Sequence, residues 1–218
     1  MNEAEVFTDA AARIRGFLHR APAPASAGLV LTHGAGANAR SPLLISVATT
    51  FAGAGFNVLR CDLPFRQTRP FGPPGPGDAA RDRQGLKEAA GALRKILPGK
   101  LYLAGHSYGG RQATMLCAEE PGIADGLLLL SYPLHPPRKP EQLRTQHFPG
   151  LHTPALFVEG TRDPFGSVDE MDAALKLIPA KTELLKIDGK GHDLGFTGKS
   201  GNQMLAQLVL QAFETFFR

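Results

Sequence analysis

The order in which apolar and amphipathic segments follow one another is the feature of this sequence that most constrains its fold. Short apolar runs of strand length alternate with longer amphipathic segments along most of the chain. Because parallel strands need a long crossover between them, this alternation favours a mostly parallel sheet with helices on both faces. The predicted strands are 13–19, 28–33, 56–62, 101–106, 126–134, 155–160 and 183–188, and the predicted helices are 42–52, 78–97, 108–119, 168–177 and 203–217.

The length of the chain favours one domain. Its 218 residues show no abrupt change of composition, so we expect a single domain over residues 1–218. Two helix starts are marked, because Ser41 precedes a proline and SVDE (167–170) is a capping box. The segment PFRQTRPFGPPGPGD (64–78) contains too many prolines and glycines for regular structure, and we expect a loop there.

Composition excludes several classes of protein. The net charge of +4 comes from scattered basic residues, whereas a nucleic-acid-binding face would need them clustered, so we expect no nucleic-acid partner. The acidic start of the chain does not resemble a signal peptide, and no apolar run approaches the roughly 20 residues of a membrane span. Cys61 and Cys117 lie in apolar surroundings. We therefore expect reduced core cysteines in a cytoplasmic protein that does not bind membranes.

The segment LYLAGHSYGG (101–110) places a serine between glycines where an apolar run meets an amphipathic one. GHSYG (105–109) matches the pattern G-x-S-x-G, which on a strand-to-helix turn keeps a serine side chain clear of the sheet. Gly105 and Gly109 flank Ser107 because such a turn leaves no room for side chains at their positions. We therefore predict that Ser107 is a nucleophile.

A serine hydroxyl needs a base to take its proton and an acid to orient that base. On such a turn the chain order is Ser, then Asp or Glu, then His. His192 in IDGKGHDLG is the histidine that fits, and Asp163, just after the predicted strand 155–160, is the predicted acid. Glu159, inside that strand, is the alternative acid. The other histidines precede the motif, adjoin it or come before Asp163, and they are His19, His33, His106, His135, His147 and His152.

The charge that develops on a substrate oxygen during acyl transfer needs two backbone N–H donors. One is expected from Tyr108, the residue after the nucleophile. The other is expected from the segment LTHGAGAN (31–38), in which we select Ala35, with Gly36 as the alternative. This chemistry uses no cofactor and no metal ion, and the sequence predicts neither.

Four motifs together resemble those of the α/β-hydrolase superfamily, and they are HGAG (33–36), GHSYGG (105–110), GTRDPFG (160–166) and GHD (191–193). The sequence is similar in particular to the small dienelactone-hydrolase-like members, including a group related to a chromatin-acetylation complex subunit and a testis-expressed protein. The resemblance implies an α/β-hydrolase fold with a minimal cap and a serine hydrolase acting on a small-molecule acyl substrate. Dienelactone hydrolases use a cysteine nucleophile, so Ser107 argues against their type of lactone hydrolysis.

Two other functions stay open at this point. The chromatin-related group leaves a catalytically silent interaction scaffold as one alternative. GAGANA (34–39) also fits the dinucleotide fingerprint G-x-G-x-x-[GA], and Asp62 stands where an acid would bind the ribose of the cofactor of an oxidoreductase. Against this second alternative, Ser41 and Pro42 start the helix after the glycines, whereas a dinucleotide needs the helix to start within them.

The segment HPPRKPEQLRTQHFPGLHT (135–153) is short for a place where many α/β hydrolases insert a cap, which predicts an open site. The candidates for apolar walls of the site are Phe65, Phe71, Tyr132 and Leu134, although core or surface packing is the more common fate of any one such residue. Basic residues on loops near the same predicted edge have two interpretations, tolerance of an acidic group on the substrate or ordinary solvated surface charge. They are Arg40, Arg66, Arg69 and Arg138.

Overall fold

The structure is a computed structural model that describes residues 4–9, 13–97, 99–196 and 203–218. Within these residues the strands are β1 (Glu5–Asp9), β2 (Ile14–His19), β3 (Ala27–Thr32), β4 (Phe56–Cys61), β5 (Lys100–His106), β6 (Gly126–Leu130), β7 (Ala155–Gly160) and β8 (Thr182–Ile187). They form one sheet in the order β1-β2-β4-β3-β5-β6-β7-β8.

Most of the sheet is parallel. The pairs β4–β3, β3–β5, β5–β6, β6–β7 and β7–β8 are parallel, while β1 and β2 add an antiparallel edge beside β4. The carboxyl ends of the parallel strands therefore lie along one edge of the sheet, where the following loops meet. This arrangement confirms the predicted α/β architecture.

Helices cover both faces of the sheet. Helices α1 (Pro42–Gly53) and α6 (Gln203–Phe217) pack on one face, and α3 (Asp78–Arg94), α4 (Tyr108–Glu119) and α5 (Val168–Leu175) pack on the other. The alternation of side chains along β3 serves both layers, because Leu29 and Leu31 point into the first core and Val30 into the second. The helices are α1 (Pro42–Gly53), α2 (Pro64–Thr68), α3 (Asp78–Arg94), α4 (Tyr108–Glu119), α5 (Val168–Leu175) and α6 (Gln203–Phe217), with a 3-10 turn at Phe148–Gly150.

The two marked helix starts behave differently. The capping box at the start of α5 is confirmed, since Ser167 Oγ accepts from Glu170 N and the Glu170 carboxylate accepts from Ser167 N. Ser41 is the N-cap residue of α1, but its hydroxyl makes no capping hydrogen bond and is buried without a partner among the described residues. Pro42 at the first helical position therefore marks the start of α1 without help from the Ser41 side chain.

Several predicted boundaries differ from the structure. The sequence misses β1, whose residues are largely exposed and carry no core pattern. Strand β6 ends at Leu130 and not at residue 134, because Ser131 takes a left-handed conformation with a φ of 51°. The segment predicted as a loop (64–78) contains the short helix α2, and α3 and α5 end before residues 97 and 177.

The connection from β6 to β7 carries no cap. Residues 131–154 contain one 3-10 turn and otherwise irregular chain. Cys61 and Cys117 are both buried and unpaired. In the described part of the chain, none of the helices combines the length and the apolar character needed to cross a bilayer.

We expect Phe213→Ala to destabilise the fold strongly. The Phe213 ring in α6 is 1% exposed and packs edge-on against Phe51, Phe56 and Tyr102, which links the helix layer to the sheet. Its removal leaves a cavity that should lower the free energy of unfolding by about 3–5 kcal/mol. Urea denaturation followed by circular dichroism measures this loss, and Phe71→Ala is the control because that ring is 85% exposed. An equal loss in both variants would contradict this description of the core.

Candidate active site

Ser107 occupies the turn between β5 and α4 in a strained conformation. Its φ of 50° and ψ of −114° are rare for a residue other than glycine. Hydrogen bonds on both sides hold the turn, since Ser107 N donates to Leu130 O at 2.9 Å and Ser107 O accepts from Arg111 N at 3.0 Å. The strand-to-helix context that the sequence predicts for this serine is present.

The glycines around Ser107 are required by close backbone packing. A Cβ atom on Gly105 would lie 2.3 Å from Gly110 N, and one on Gly109 would lie 2.7 Å from His33 O. Neither backbone neighbour can move without displacing α4 from β3 and β5. The prediction that Gly105 and Gly109 have no room for side chains is therefore confirmed.

The structure brings the three predicted catalytic side chains together. His192 Nε2 lies 2.8 Å from Ser107 Oγ, and His192 Nδ1 lies 2.7 Å from Asp163 Oδ2. The Asp163 side chain is fully buried and also accepts from Phe165 N at 2.8 Å. An ionised Asp163 in this position holds the proton on Nδ1, which leaves the Nε2 lone pair directed at the Ser107 hydroxyl.

Two further side chains fix the position of His192. The ring of Phe165 lies 4.1 Å from the imidazole, at an angle of 31°. His106 Nε2 lies 2.8 Å from the backbone oxygen of His192, and burial lowers the pKa of His106 to about 4. His106 is therefore neutral near pH 7 and donates its Nε2–H to that oxygen. Sequence reasoning excluded His106 as the base but missed this contact, for which no local motif gives a signal.

Most of the remaining histidines have partners elsewhere in the described chain. His19 accepts from Arg60, and His33 accepts from Leu63 N. His147 contacts Thr114, and His135 contacts Glu170. None of these contacts involves Ser107, so His192 is the imidazole placed against the serine.

The expected N–H donors lie on the two segments that flank Ser107. Tyr108 begins α4, so its N–H is one of those that have no partner within the helix. In the other segment, Gly34 O accepts from Ala37 N at 3.1 Å, and His33 Nδ1 lies 2.9 Å from the same oxygen. The Ala35 N–H points away from this oxygen, because the two groups lie on opposite sides of the trans peptide between Gly34 and Ala35. A Cβ on Gly34 would lie only 3.4 Å from Ser107 Cβ, so this backbone runs directly beside the serine.

Arg66 secures the segment that contains Ala35. The side chain is 3% exposed, and it donates to Ala35 O at 2.7 Å, Ala37 O at 2.8 Å and Gly72 O at 2.9 Å. Backbone carbonyls thus occupy the Arg66 guanidinium, which holds the loop and is neither a solvated surface charge nor free to bind an acidic group. Of the other three arginines, Arg69 pairs with Asp78, while Arg40 and Arg138 are exposed.

A buried carboxyl fixes the side chain of Tyr108. The Tyr108 hydroxyl donates to Asp82 Oδ2 at 2.7 Å, and Phe65 N donates to Asp82 Oδ1 at 3.0 Å. Asp82 is fully buried, and burial raises its pKa. Asp82 on α3 thus joins the start of α4 to α2, and sequence reasoning did not find it.

The four candidates for apolar walls show the alternative, core or surface packing. Phe65, Tyr132 and Leu134 are 1% exposed or less and belong to the core, while Phe71 is 85% exposed. The Tyr132 hydroxyl also donates to Arg144 O at 2.7 Å. Tyr132 and Leu134 pack inward because they form part of the core under the short connection after β6.

The dinucleotide alternative finds no support in the geometry. Helix α1 begins at Pro42, after the glycines of GAGANA (34–39). Asp62, the expected ribose-binding acid, already accepts from Arg15 and from Ala39 N. Across the described residues, His, Cys, Asp and Glu side chains form no group of three or more that could hold a metal ion.

Comparisons with known proteins agree with this fold. A family model described as "Alpha/beta hydrolase domain" matches residues 25–217. The structure is similar to a dienelactone hydrolase from Anabaena variabilis (21% identity, TM-score 0.75, 99% of both chains) and to an alpha-beta serine hydrolase homologue from Coxiella burnetii (15%, 0.75, 97% of both chains). It is also similar to a thermophilic esterase from Thermogutta terrifontis (19%, 0.68, 98% of this chain and 90% of that chain). Since the family model spans most of the sequence, the chain belongs to the alpha/beta hydrolase domain family.

Proposed function

We propose that this protein is a serine hydrolase that cleaves small carboxylic esters or related acyl compounds through an acyl-enzyme on Ser107. The observation that carries the proposal is the imidazole of His192 between Ser107 Oγ at 2.8 Å and Asp163 Oδ2 at 2.7 Å. A hydroxyl, an imidazole and a buried carboxylate in this geometry form the arrangement that activates a serine for attack on a carbonyl carbon.

In the first half of the reaction, Ser107 Oγ attacks the carbonyl carbon of the ester while its proton passes to His192 Nε2. The carbonyl oxygen becomes an oxyanion that the N–H groups of Tyr108 and Ala35 stabilise. The tetrahedral intermediate then breaks its bond to the alkoxy group, which leaves as an alcohol with the proton from His192. The acyl group remains on Ser107.

In the second half, a water molecule replaces the alcohol. His192 takes a proton from the water as it attacks the acyl carbon, and the same two N–H groups stabilise the second oxyanion. The bond to Ser107 Oγ then breaks, and His192 returns the proton to that oxygen. The products are a carboxylic acid and the free serine, and no external redox partner is needed.

The kinds of protein that share this fold support a hydrolase of acyl substrates. The compared proteins include one described as a dienelactone hydrolase and one described as an esterase. The connection of residues 131–154 carries no cap, which favours substrates that reach the serine from an open edge. Both features support hydrolysis of small esters over an interaction scaffold without chemistry.

We expect a fluorophosphonate probe to label the wild-type protein and to leave Ser107→Ala unlabelled. The probe phosphonylates a serine whose proton has a base to accept it, which is the environment of Ser107. Ser26→Ala, at an exposed serine outside the site, should be labelled like the wild type. A panel of p-nitrophenyl esters of graded acyl length then identifies the preferred acyl group. A folded wild type that is neither labelled nor active on the panel would favour the scaffold.

Asp163→Asn should reduce esterase kcat by at least about a hundredfold. The amide keeps the size of the carboxylate but can donate to Nδ1, which favours the tautomer with its proton facing Ser107. Turnover and probe-labelling rates measure the loss, and the urea midpoint checks that the variant is folded. Turnover within a fewfold of the wild type would mean that another group orients His192.

We expect His106→Phe to lower kcat about tenfold with little change in KM. Phenylalanine keeps an aromatic ring at this position but cannot donate to the backbone oxygen of His192. The loop that carries His192 therefore loses one of the hydrogen bonds that position it beside Ser107. Small displacements of a base from its substrate are costly in rate. Steady-state kinetics on the best ester measures the effect, with His152→Phe as the exposed control. An unchanged kcat would show that Asp163 and Phe165 position His192 without His106.

A further inference from the structure

Glu159 is a buried acid directly behind the candidate active site. It lies in β7, four residues before Asp163, and is 1% exposed. Its Oε1 accepts a short hydrogen bond from the backbone N–H of Tyr132, just beyond the end of β6. Its Oε2 is buried and receives no hydrogen bond from any donor among the described residues. One oxygen of this carboxyl is therefore satisfied, and the other is not.

The Asp163 carboxyl is a hydrogen-bonding and electrostatic neighbour of the Glu159 carboxyl. Because Oε1 already accepts from Tyr132 N, Oε2 is the oxygen left to make this contact. Two carboxylates both lack a proton to donate, so this contact forms a hydrogen bond only if one of the pair is protonated. If both were ionised, two negative charges would face each other without a cation between them. Such an arrangement is strongly unfavourable in a buried site.

The two acids have different surroundings, which decides where the proton resides. Asp163 already accepts two hydrogen bonds, from His192 Nδ1 and from Phe165 N. Glu159 accepts a single N–H, and burial together with the charge of Asp163 raises its pKa well above the ordinary value. The shared proton therefore belongs to Glu159, and Oε2 is the oxygen with room to carry it.

We infer that Glu159 is a positioning residue whose neutral carboxyl donates a hydrogen bond from Oε2 to Asp163 and thereby fixes the carboxylate that orients His192. This inference rests on the proposed serine hydrolase activity. It also gives different roles to Glu159 in β7 and Asp163 in the loop that follows. Asp163 is the acid in contact with the imidazole, and Glu159 supports Asp163.

This arrangement excludes Glu159 as the acid that contacts His192. The Nδ1 atom of the ring is already 2.7 Å from Asp163 Oδ2, and Glu159 Oε1 already accepts from Tyr132 N. The alternative acid that the sequence leaves open therefore has a different part in the site. The contact with Tyr132 N also links β7 to the end of β6. The Glu159 carboxyl therefore connects β7, the end of β6 and the loop that carries Asp163.

The first test compares Glu159→Gln with Glu159→Met. Glutamine is neutral, and its amide accepts from Tyr132 N and donates to Asp163, so it reproduces both contacts of a protonated glutamate. Methionine has a similar length but provides neither. We expect Glu159→Gln to retain kcat and KM within about threefold of the wild type, and Glu159→Met to lose at least about tenfold in kcat with KM little changed. Glu183→Met, at an exposed position on the neighbouring β8, is the control.

The second test detects the proton itself and needs no catalytic activity. Infrared difference spectroscopy of the folded wild type minus Glu159→Gln at neutral pH should show a protonated carboxyl band that shifts in deuterated buffer. This measurement remains decisive if Glu159→Met does not fold. The ratio of labelling rates with the fluorophosphonate probe gives a parallel readout of Ser107 activation.

The outcomes separate the two proposals. An active wild type without the protonated carboxyl band, or an active Glu159→Met with unchanged kcat, would overturn the inference on Glu159 and leave the serine hydrolase intact. A loss in Glu159→Gln as large as that in Glu159→Met would overturn it as well, because the matching donor would then have failed. A wild type with the band but with neither turnover nor labelling would overturn the proposed function, and the positioning role with it.

Discussion

The contact between the start of α4 and the ends of β3 and β5 is the constraint on which the rest of the site depends. The helix can approach these strands only because Gly105 and Gly109 carry no side chains. The chain must turn sharply from β5 into α4 between these glycines, and Ser107 takes a strained conformation at this turn. Backbone packing therefore sets the direction of the Ser107 side chain, and the loops after β3, β7 and β8 meet around it.

Buried polar groups, more than apolar contacts, determine the positions of these loops. Arg66 binds the carbonyls of the segment after β3, and His106 binds the backbone of the segment after β8. Asp82 fixes Tyr108 at the start of α4, and Glu159 lies behind the loop of Asp163. Arg66, His106 and Asp82 each make hydrogen bonds that require a specific geometry, so each permits fewer loop positions than an apolar side chain would.

The sequence predicts those parts of the structure that local patterns determine. Central strands such as 101–106 are continuous apolar runs, the glycines around Ser107 mark the turn, and the chain order of Ser107, Asp163 and His192 matches their arrangement in space. Edge strand β1 escapes prediction because its exposed side chains carry no period. The roles of Arg66 and His106 escape it for a different reason. Arg66 and His106 bind backbone oxygens of residues far away in the sequence, and any residue type provides a backbone oxygen. No sequence pattern can therefore predict these contacts.

The burial of both cysteines determines how this protein responds to oxidants. Burial raises the pKa of Cys61 and of Cys117 to about 12. At pH 7 the thiolate fraction of each is then on the order of 10⁻⁵, and sulfenic acid formation and disulfide exchange both proceed through the thiolate. Peroxide or oxidised glutathione would have to unfold the core to reach either sulfur. Neither cysteine of this chain is therefore an expected site of reversible oxidation.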